Sequence, residues 1–507
     1  MEVLSVAEMM RADQLAIAAG TSGFALMERA GRAVAQVARG MVRQNTGKIV
    51  IVAGPGNNGG DGFVAAADLA ASGFSVEIIL FGQHADLRGD AALAAARWQG
   101  PVTPDGEAML GGCDLVIDAL FGAGLNRALE GDARALVEAI NSSNAPVLAV
   151  DLPSGINGDS GAVMGYAVRA NETVTFFRKK PAHLLLPGRV HCGRIHVADI
   201  GIHQSVLDEI RPATFENSPS IWRDAFPRVA IDGHKYSRGH AVVVSGGIAS
   251  TGAARLAARG ALRAGAGLVT VASPTDALAV NAAALTAVMV RDVNDAGAFA
   301  AMLEDRRINA CVIGPGNGIG KRSRSMALAA IRAGRSVVLD ADALTSFSED
   351  PEALFSEIKS RNNNQVVLTP HAGEFSRLFS WIDSKSTAFS KLKQTRLVAQ
   401  ESGAVVLFKG PDTVIAAPDG RAMVSANAPP WLATAGSGDV LAGFIAGLLA
   451  QGVPAFEAAN IGAWLHGEAA RAFGPGLIAE DLPEALPAVL RRIYAEFGIE
   501  IEPRGSE

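Results

Sequence analysis

The feature that most limits what this chain can fold into is a repeated junction. A short, continuous apolar run stops in a loop of Gly, Asp and Asn, and a helical pattern follows. Run 48–53 enters GPGNNGGDG in this way, 115–117 enters DALFGAGLNRA, and 147–150 enters DLPSGING. Further on, HKYSRGHAVVVSGG (234–247) carries run 241–245 with its flanking loops, 310–313 enters GPGNG, 336–339 enters DADAL, 366–368 enters TPHAGE and 405–408 enters KGPDT. Apolar runs without polar alternation are strands covered on both faces, and their alternation with helices predicts a parallel sheet between helical layers. In such a sheet the strand C-termini share one edge, where these loops converge.

At 507 residues the chain exceeds one core, since a domain takes roughly 150 residues. The first series has helices within 5–44 broken at 20–23, strands 48–53, 76–81, 115–117 and 147–150, helices 62–72, 90–98 and 132–141, and further strands within 172–202. The pattern fades where Pro212, Pro219 and Pro227 punctuate a polar stretch. A second series follows, with strands 241–245, 268–272, 310–313, 336–339, 366–368 and 405–408 and a hairpin near 414–424. Its helices are 251–264, 321–333, 388–402, 438–451 and 456–473, and Asn362–Asn364 reads as a loop tip. The expected organisation is a domain over 1–212, a linker over 213–227, a domain over 228–497 and a tail over 498–507.

With 49% hydrophobic and 19% charged residues this is globular enzyme material, and its glycines follow no fixed period. A net charge of −6 gives no reason to expect nucleic acid or an anionic membrane as partner. Cys113, Cys192 and Cys311 form no CxxC pair, which points to a reducing compartment. Glu2 stands where a secretory signal would carry positive charge, and apolar run 440–450 is well short of the ~20 residues of a membrane span. The expectation is a soluble, cytoplasmic protein.

In the first series, Gly54, Gly56 and Gly59 satisfy GxGxxG, but Glu77 stands mid-strand where a dinucleotide fold would put an acid at a strand end. Asn57, Asn58 and Asp61 add amides and a carboxylate that a plain phosphate cradle does not need. Asp118 follows one strand and Asp151 another, so Asn58, Asp118, Asp151 and Ser154 should gather at one edge, where hard oxygens can hold a cation and Asp151 can move protons. The same residue types also cap helices and shape turns.

NNGGDG, DALFGxG and DxPSG in this order resemble the NAD(P)H-hydrate epimerase family over roughly residues 1–210. The resemblance implies a Rossmann-like α/β/α domain that interconverts the R and S epimers of hydrated NADH and NADPH. It implies substrate contacts from Asn57, Asn58, Gly59, Gly60, Asp61, Gly122, Ala123, Gly124, Leu125, Asn126, Arg127, Ala128 and Asp151. Potassium would be held by Asn58, Asp118 and Ser154. Asp151 is the catalytic candidate, with Lys180 of FFRKKP as a second; a turn-end lysine of this kind can equally be an exposed one.

In the second series, AGSGDVLAG sets Gly436, Ser437 and Gly438 at a helix start as an anion hole for a phosphoryl group, with Asp439 placed as a base. The apolar side of that helix carries Val440, Leu441, Phe444, Ile445 and Leu448. An acid in a first helical turn is also an ordinary capping choice. His371 in TPHAGE can hydrogen-bond a substrate, although a loop histidine is often a plain surface residue.

The ordered set KYxRG, GPGxG, LDADAL, TPHxGE, KG and GxGDVLAG resembles the ribokinase-like ADP- or ATP-dependent NAD(P)H-hydrate dehydratase family over roughly residues 225–495. This implies a second α/β/α domain that places Ala253, Gly316, His371 and Asp439 against the S-hydrate. Lys409, Gly410, Pro411, Asp412, Thr413 and Gly438 would lie against the adenine nucleotide, and Mg2+ would bridge its phosphates. Phosphorylating the ring hydroxyl turns it into a leaving group. Ser437 departs from the Thr or Ala frequent in the family. An epimerase fused to an epimer-specific dehydratase clears both hydrates, with free diffusion between the sites, and a homo-oligomer is expected. Two other readings are a ribokinase-like small-molecule kinase, whose GxGD turn would be the same, and a binding scaffold on the front fold, against which the intact NNGGDG and Asp118 argue.

Overall fold

The computed structural model describes residues 1–43, 47–105, 110–229, 232–361, 365–385 and 389–499, so Asn362–Asn364 and most of the expected tail lie outside the described residues. The chain divides into two compact units, Met1–Phe215 and Glu216–Glu507.

In the first unit the strands are β1 (Lys48–Ala53), β2 (Ser75–Leu80), β3 (Val102–Pro104), β4 (Leu115–Ala119), β5 (Val147–Val150), β6 (Glu172–Phe176) and β7 (Arg194–Ala198). They form one parallel sheet in the order β3-β2-β1-β4-β5-β6-β7. Alternate residues of β1 feed two separate cores. Ile49, Ile51 and Ala53 pack with Leu26, Met27 and Phe63 on one face, while Val50 and Val52 pack with Leu136, Val137 and Ile140 on the other. Burial on both faces is why these strands read as unbroken apolar runs.

Two boundaries differ from the sequence expectation. The helix expected to begin at residue 62 runs Asn57–Ala71, so NNGGDG forms its first turns and is not a loop. Tertiary packing overrides the poor helix propensity of Asn and Gly here. A Cβ at Gly59 would stand 1.9 Å from the Gly54 carbonyl oxygen, and one at Gly62 2.8 Å from the Ala119 Cβ. Strand β4 continues through Asp118, which is therefore a fully buried strand residue.

A short strand β8 (Thr214–Glu216) lies across the division between the units. The second unit then has β9 (His240–Val244), β10 (Leu268–Ser273), β11 (Met289–Asp292), β12 (Ile308–Ile313), β13 (Ser336–Leu339), β14 (Val366–Leu368), β15 (Val405–Phe408), β16 (Thr413–Ala416) and β17 (Ala422–Ser425). Their order is β11-β10-β9-β12-β13-β14-β15-β16-β17, parallel up to β15 and antiparallel beyond it. Helix Ser437–Ala450 is buried on every side from Val440 onward, beyond the single apolar side expected. It lies hard against helix Thr251–Arg263, where a Cβ on Gly443 would come within 2.2 Å of the Ala257 carbonyl oxygen.

The stretch 213–227 is not a linker. Trp222 is 1% exposed and packs with Phe226, Trp464 and Phe497, with ring centroids 5.7–5.8 Å away. Its indole N–H donates to Asn217 Oδ1 at 3.0 Å, and Asn217 Nδ2 donates to the Asn460 carbonyl at 2.7 Å. The polar Asn217, part of the stretch that suggested a linker, thus anchors this aromatic cluster by hydrogen bonds. Trp222→Ala is expected to cost about 3–5 kcal/mol in urea denaturation of the full chain, where a linker residue would cost next to nothing.

Candidate active sites

Both sheets reverse strand order once within their parallel part, between β1 and β4 and between β9 and β12, and neighbouring loops separate there to leave a crevice. In the first unit the loops after β1 and β4 meet so closely that a Cβ on Gly54 would fall 1.9 Å from the Leu120 carbonyl oxygen. Beside this junction opens a cavity of about 710 Å3 lined by Asn57, Asn58, Asp61, Asp151 and Lys180, with residues 122–127 along one wall. Gly59 and Gly60 do not line it: Gly59 faces Gly54, and a Cβ on Gly60 would meet Met27. Ala128 is exposed and also off the lining.

Asp151 is held by a dense set of donors. Its Oδ1 accepts from Lys180 Nζ at 2.6 Å and Thr175 Oγ1 at 2.9 Å, and its Oδ2 accepts from the Ala123 N–H at 3.1 Å. Its φ of 63° is left-handed, a conformation Asp tolerates better than most residues. Burial alone would raise its pKa, but the Lys180 ammonium outweighs it and holds the carboxyl below the ordinary value. Lys180 is 2% exposed, which excludes the exposed turn-end alternative. His183 braces both partners: its Nδ1 accepts from the Lys180 N–H, so its Nε2–H donates to the Asp151 carbonyl at 2.9 Å. Burial, aided by the Lys180 charge, lowers its pKa to about 4, in keeping with a neutral ring.

Two more carboxylates face the same cavity. Burial, together with the charges of Asp151 and Asp13, drives the Asp61 pKa well above its ordinary value against the pull of Lys180. Asp13, on helix Val6–Ala18, is raised to about 6, first by burial. Sequence reasoning missed Asp13, because one acid on an amphipathic helix carries no local mark and only packing brings it to the cavity wall.

Asp118 and Ser154 lie behind this wall, fully buried and bonded to each other. Ser154 donates its N–H to Asp118 Oδ2 at 2.7 Å and its hydroxyl to Oδ1 at 2.6 Å. Asp118 has no cationic side chain beside it among the described residues, and burial raises its pKa to about 6. Asn58, on the cavity, keeps a buried amide nitrogen without a partner, and its Oδ1 and Asp151 Oδ2 both flank Gly122. Glu77 pairs with Lys48 at 3.1 Å in mid-sheet, away from any strand-end ligand.

In the second unit a Cβ on Gly246 would fall 1.8 Å from the Gly316 carbonyl oxygen, so the loops after β9 and β12 also meet at the switch point. Ala253 lies beside Gly316, 3.4 Å from the position its Cβ would take. The segment 234–239 precedes β9 and therefore lies at the opposite sheet edge, with Gly239 against the Ala450 carbonyl. HKYSRG is thus an architectural element and not part of the crevice.

Lys409, from the end of β15, reaches Asp340 Oδ1 at 2.6 Å and Glu374 Oε2 at 3.7 Å, and lies 3.6 Å from where a Cβ on Gly438 would stand. Burial opposes its charge, yet Asp340, Glu374 and Asp439 together raise its pKa. Asp439 is itself raised to about 6, first by burial and then by Asp340, with Lys409 opposing. The Ser437 N–H turns back to the Thr434 carbonyl at 3.4 Å, so the anion hole falls to Gly436, Gly438 and Asp439, whose N–H groups have no acceptor among the described residues. His371 is the N-cap of helix Ala372–Leu378 through Nδ1, and its Nε2 lies 3.2 Å from Glu374. In the Lys409–Thr413 loop, Asp412 is committed to Lys391 at 2.8 Å, and the Thr413 hydroxyl donates to the Gly410 carbonyl at 2.7 Å. Among the described residues no group of three or more His, Cys, Asp or Glu could hold a metal.

Two family models match the chain: "YjeF-related protein N-terminus" over residues 23–182 and "NAD(P)H-hydrate dehydratase" over 241–487. A bifunctional NAD(P)H-hydrate repair enzyme Nnr of Moorella thermoacetica is 36% identical, with 98% of each chain covered. The Escherichia coli enzyme of that name is 32% identical over 93% of this chain and 90% of its own. A Bacillus subtilis ADP/ATP-dependent NAD(P)H-hydrate dehydratase, co-crystallized with ATP/Mg2+, is 25% identical with a TM-score of 0.46, covering 55% of this chain and 98% of that one.

Removing the Lys180 ammonium by Lys180→Met leaves a buried Asp151 unpaired. The expected loss is about 3–5 kcal/mol by urea denaturation, with part of it restored by the further change Asp151→Asn.

Proposed function

We infer that this chain, which belongs to the family of bifunctional NAD(P)H-hydrate repair enzymes, epimerises the R- and S-hydrates of NADH and NADPH in its first unit and dehydrates the S-hydrate to NAD(P)H in its second, at the expense of ADP or ATP. The observation that carries this reading is that each unit has, at its own switch point, a carboxylate tuned to move a proton: Asp151 against a buried ammonium, Asp439 on a phosphoryl-cradling turn.

Epimerisation breaks and remakes a bond at the hydrated ring carbon, with one proton in transit. Asp151 Oδ1 and Lys180 Nζ, 2.6 Å apart, are the proton-moving pair, and Asp61 and Asp13, whose raised proton affinity suits them to protonate the departing hydroxyl, line the same cavity. The wall over 122–127 holds the nucleotide. The Asn58, Asp118 and Ser154 oxygens would hold potassium: Asp118 is a buried carboxyl group with no cationic side chain beside it among the described residues, and Asn58 Oδ1 is a hard oxygen beside Gly122 on the cavity. Bound there, potassium supplies fixed positive charge that orders the loops around the substrate.

In the second unit Asp439 takes the ring hydroxyl proton as the terminal phosphoryl group passes to that oxygen and its bond to the departing AMP (from ADP) or ADP (from ATP) breaks, and the Gly436, Gly438 and Asp439 N–H groups with Lys409 hold its oxygens. The C–O bond then breaks with phosphate leaving, and the neighbouring carbon gives up a proton to restore the conjugated ring. Mg2+ would neutralise phosphate charge when bound with the nucleotide. Ala253, Gly316 and His371 line the hydrate side, and residues 409–413 the nucleotide side. Small-molecule substrates, a cytoplasmic location and a homo-oligomeric state belong to this reading, the location being in keeping with three free cysteines; among the described residues no helix is long and apolar enough to cross a membrane.

Full-length protein given hydrated NADH and ADP should restore the near-ultraviolet absorbance of reduced nicotinamide; a stable phosphate ester without that recovery would instead mark a kinase. Asp439→Asn is expected to abolish recovery and spare epimer exchange, and Asp151→Asn to do the reverse. Exchange should depend on potassium and lose that dependence in Asp118→Asn. A second expectation concerns pH. Asp439 is active only when deprotonated, so dehydration kcat should fall about tenfold per unit as pH drops below about 6, and Asp340→Asn, which removes a neighbouring negative charge, should move that limb to lower pH.

A further inference from the structure

The mechanism leaves one buried titratable side chain beside the second site unused. His466 lies in helix Ala455–Phe473, 7% exposed, with its Nε2 2.9 Å from the Ser437 carbonyl oxygen and its ring edge-on to Phe444 at 6.1 Å. Because that partner is an acceptor, Nε2 carries the proton. Burial, with help from the Lys409 charge and against the pull of the carbonyl, lowers the pKa to about 4, so the ring is a neutral Nε2–H donor at physiological pH.

The acceptor's position gives this contact a consequence. Ser437 C=O and Gly438 N–H belong to one planar trans peptide, in which oxygen and hydrogen point in opposite directions. Fixing the oxygen therefore fixes the hydrogen. The Gly438 N–H is one of the anion-hole donors left without an acceptor, and Gly438 faces Lys409 and Asp340. Donation into the carbonyl also polarises the peptide, since hydrogen bonds in series strengthen one another. Ser437 is further tied by its hydroxyl to the Thr434 carbonyl at 2.9 Å, so the turn is held on two sides.

We propose that His466 is a positioning residue of the dehydratase: its Nε2–H, through the Ser437 carbonyl, aims and polarises the Gly438 N–H that stabilises the transferring phosphoryl group. This rests on the phosphoryl-transfer reading of the Gly436–Asp439 turn. The His466 Nε2–H is spent on the Ser437 carbonyl, so its effect falls on kcat through the geometry in which Gly438 N–H meets the phosphoryl group as it transfers.

The test uses full-length protein with hydrated NADH and ADP. His466→Phe keeps an aromatic ring beside Phe444 but has no donor; His466→Gln places an amide N–H at similar reach. His466→Phe should lose roughly tenfold in kcat, with KM for the hydrate within about twofold of the parent, and His466→Gln should recover to within about threefold. Epimer exchange and the thermal shift on adding ADP, both expected unchanged, report that each unit is folded. Full activity in His466→Phe, equal impairment of both variants with folding intact, or a rise in KM at constant kcat would overturn the proposal. Absence of dehydration in the parent protein would overturn the underlying reading instead.

Discussion

Both catalytic crevices depend on backbone meeting backbone without side chains between. At Gly54 and Gly246 the next loop's carbonyl oxygen lies under 2 Å from the place a Cβ would occupy. Such contacts let two strand-end loops meet at the switch point, so that the residues just beyond them splay apart into a pocket. In the first unit this brings the Asn58 and Asp151 side-chain oxygens together beside Gly122, 2.9 and 3.2 Å from where a Cβ there would stand; in the second it sets the loop after β12 against helix Thr251–Arg263. The chemistry of each unit is built on that steric frame.

Within the frame, charge is handled in two ways. The epimerase pocket buries a complete ion pair, Asp151 with Lys180, and steadies it with a neutral His183, while Asp61 and Asp13, without an ion-pair partner among the described residues, are pushed towards protonation. The dehydratase site places one lysine among three acids, so Lys409 stays charged while Asp439 retains a raised proton affinity. The first arrangement keeps donor and acceptor in contact. The second sets a carboxylate of raised proton affinity beside a lysine held charged, the pairing that the proposed phosphoryl transfer calls for.

The strands were legible because burial on both faces leaves unbroken apolar runs, and Asp151 could be placed at the cavity because it directly follows a strand whose end shares the sheet edge. Reading failed where tertiary contact overrules local preference. NNGGDG looked like a loop since Asn and Gly are poor helix formers, yet close packing at Gly59 and Gly62 demands a helix. Asp13 and His466 sit inside helices, where nothing in their neighbours separates a site residue from a surface or core one. Trp222 was hidden by the prolines around it, and the HKYSRG segment was placed at the wrong edge because a motif does not say which end of its strand it serves. Gly59 and Gly60 belong to the recognised motif but serve packing, which the motif's letters cannot distinguish from contact with a ligand.

The wholly buried helix Ser437–Ala450 also constrains how the polypeptide can be made. Residues 1–215 are contiguous and can close their own core as soon as they leave the ribosome. The second unit cannot do the same, because helix Thr251–Arg263 finds its main partner almost two hundred residues later. Until that segment emerges, the apolar strands from β9 onward stand uncovered on a tethered chain, so the late half of synthesis is the interval in which this protein is most exposed to aggregation and most dependent on chaperones.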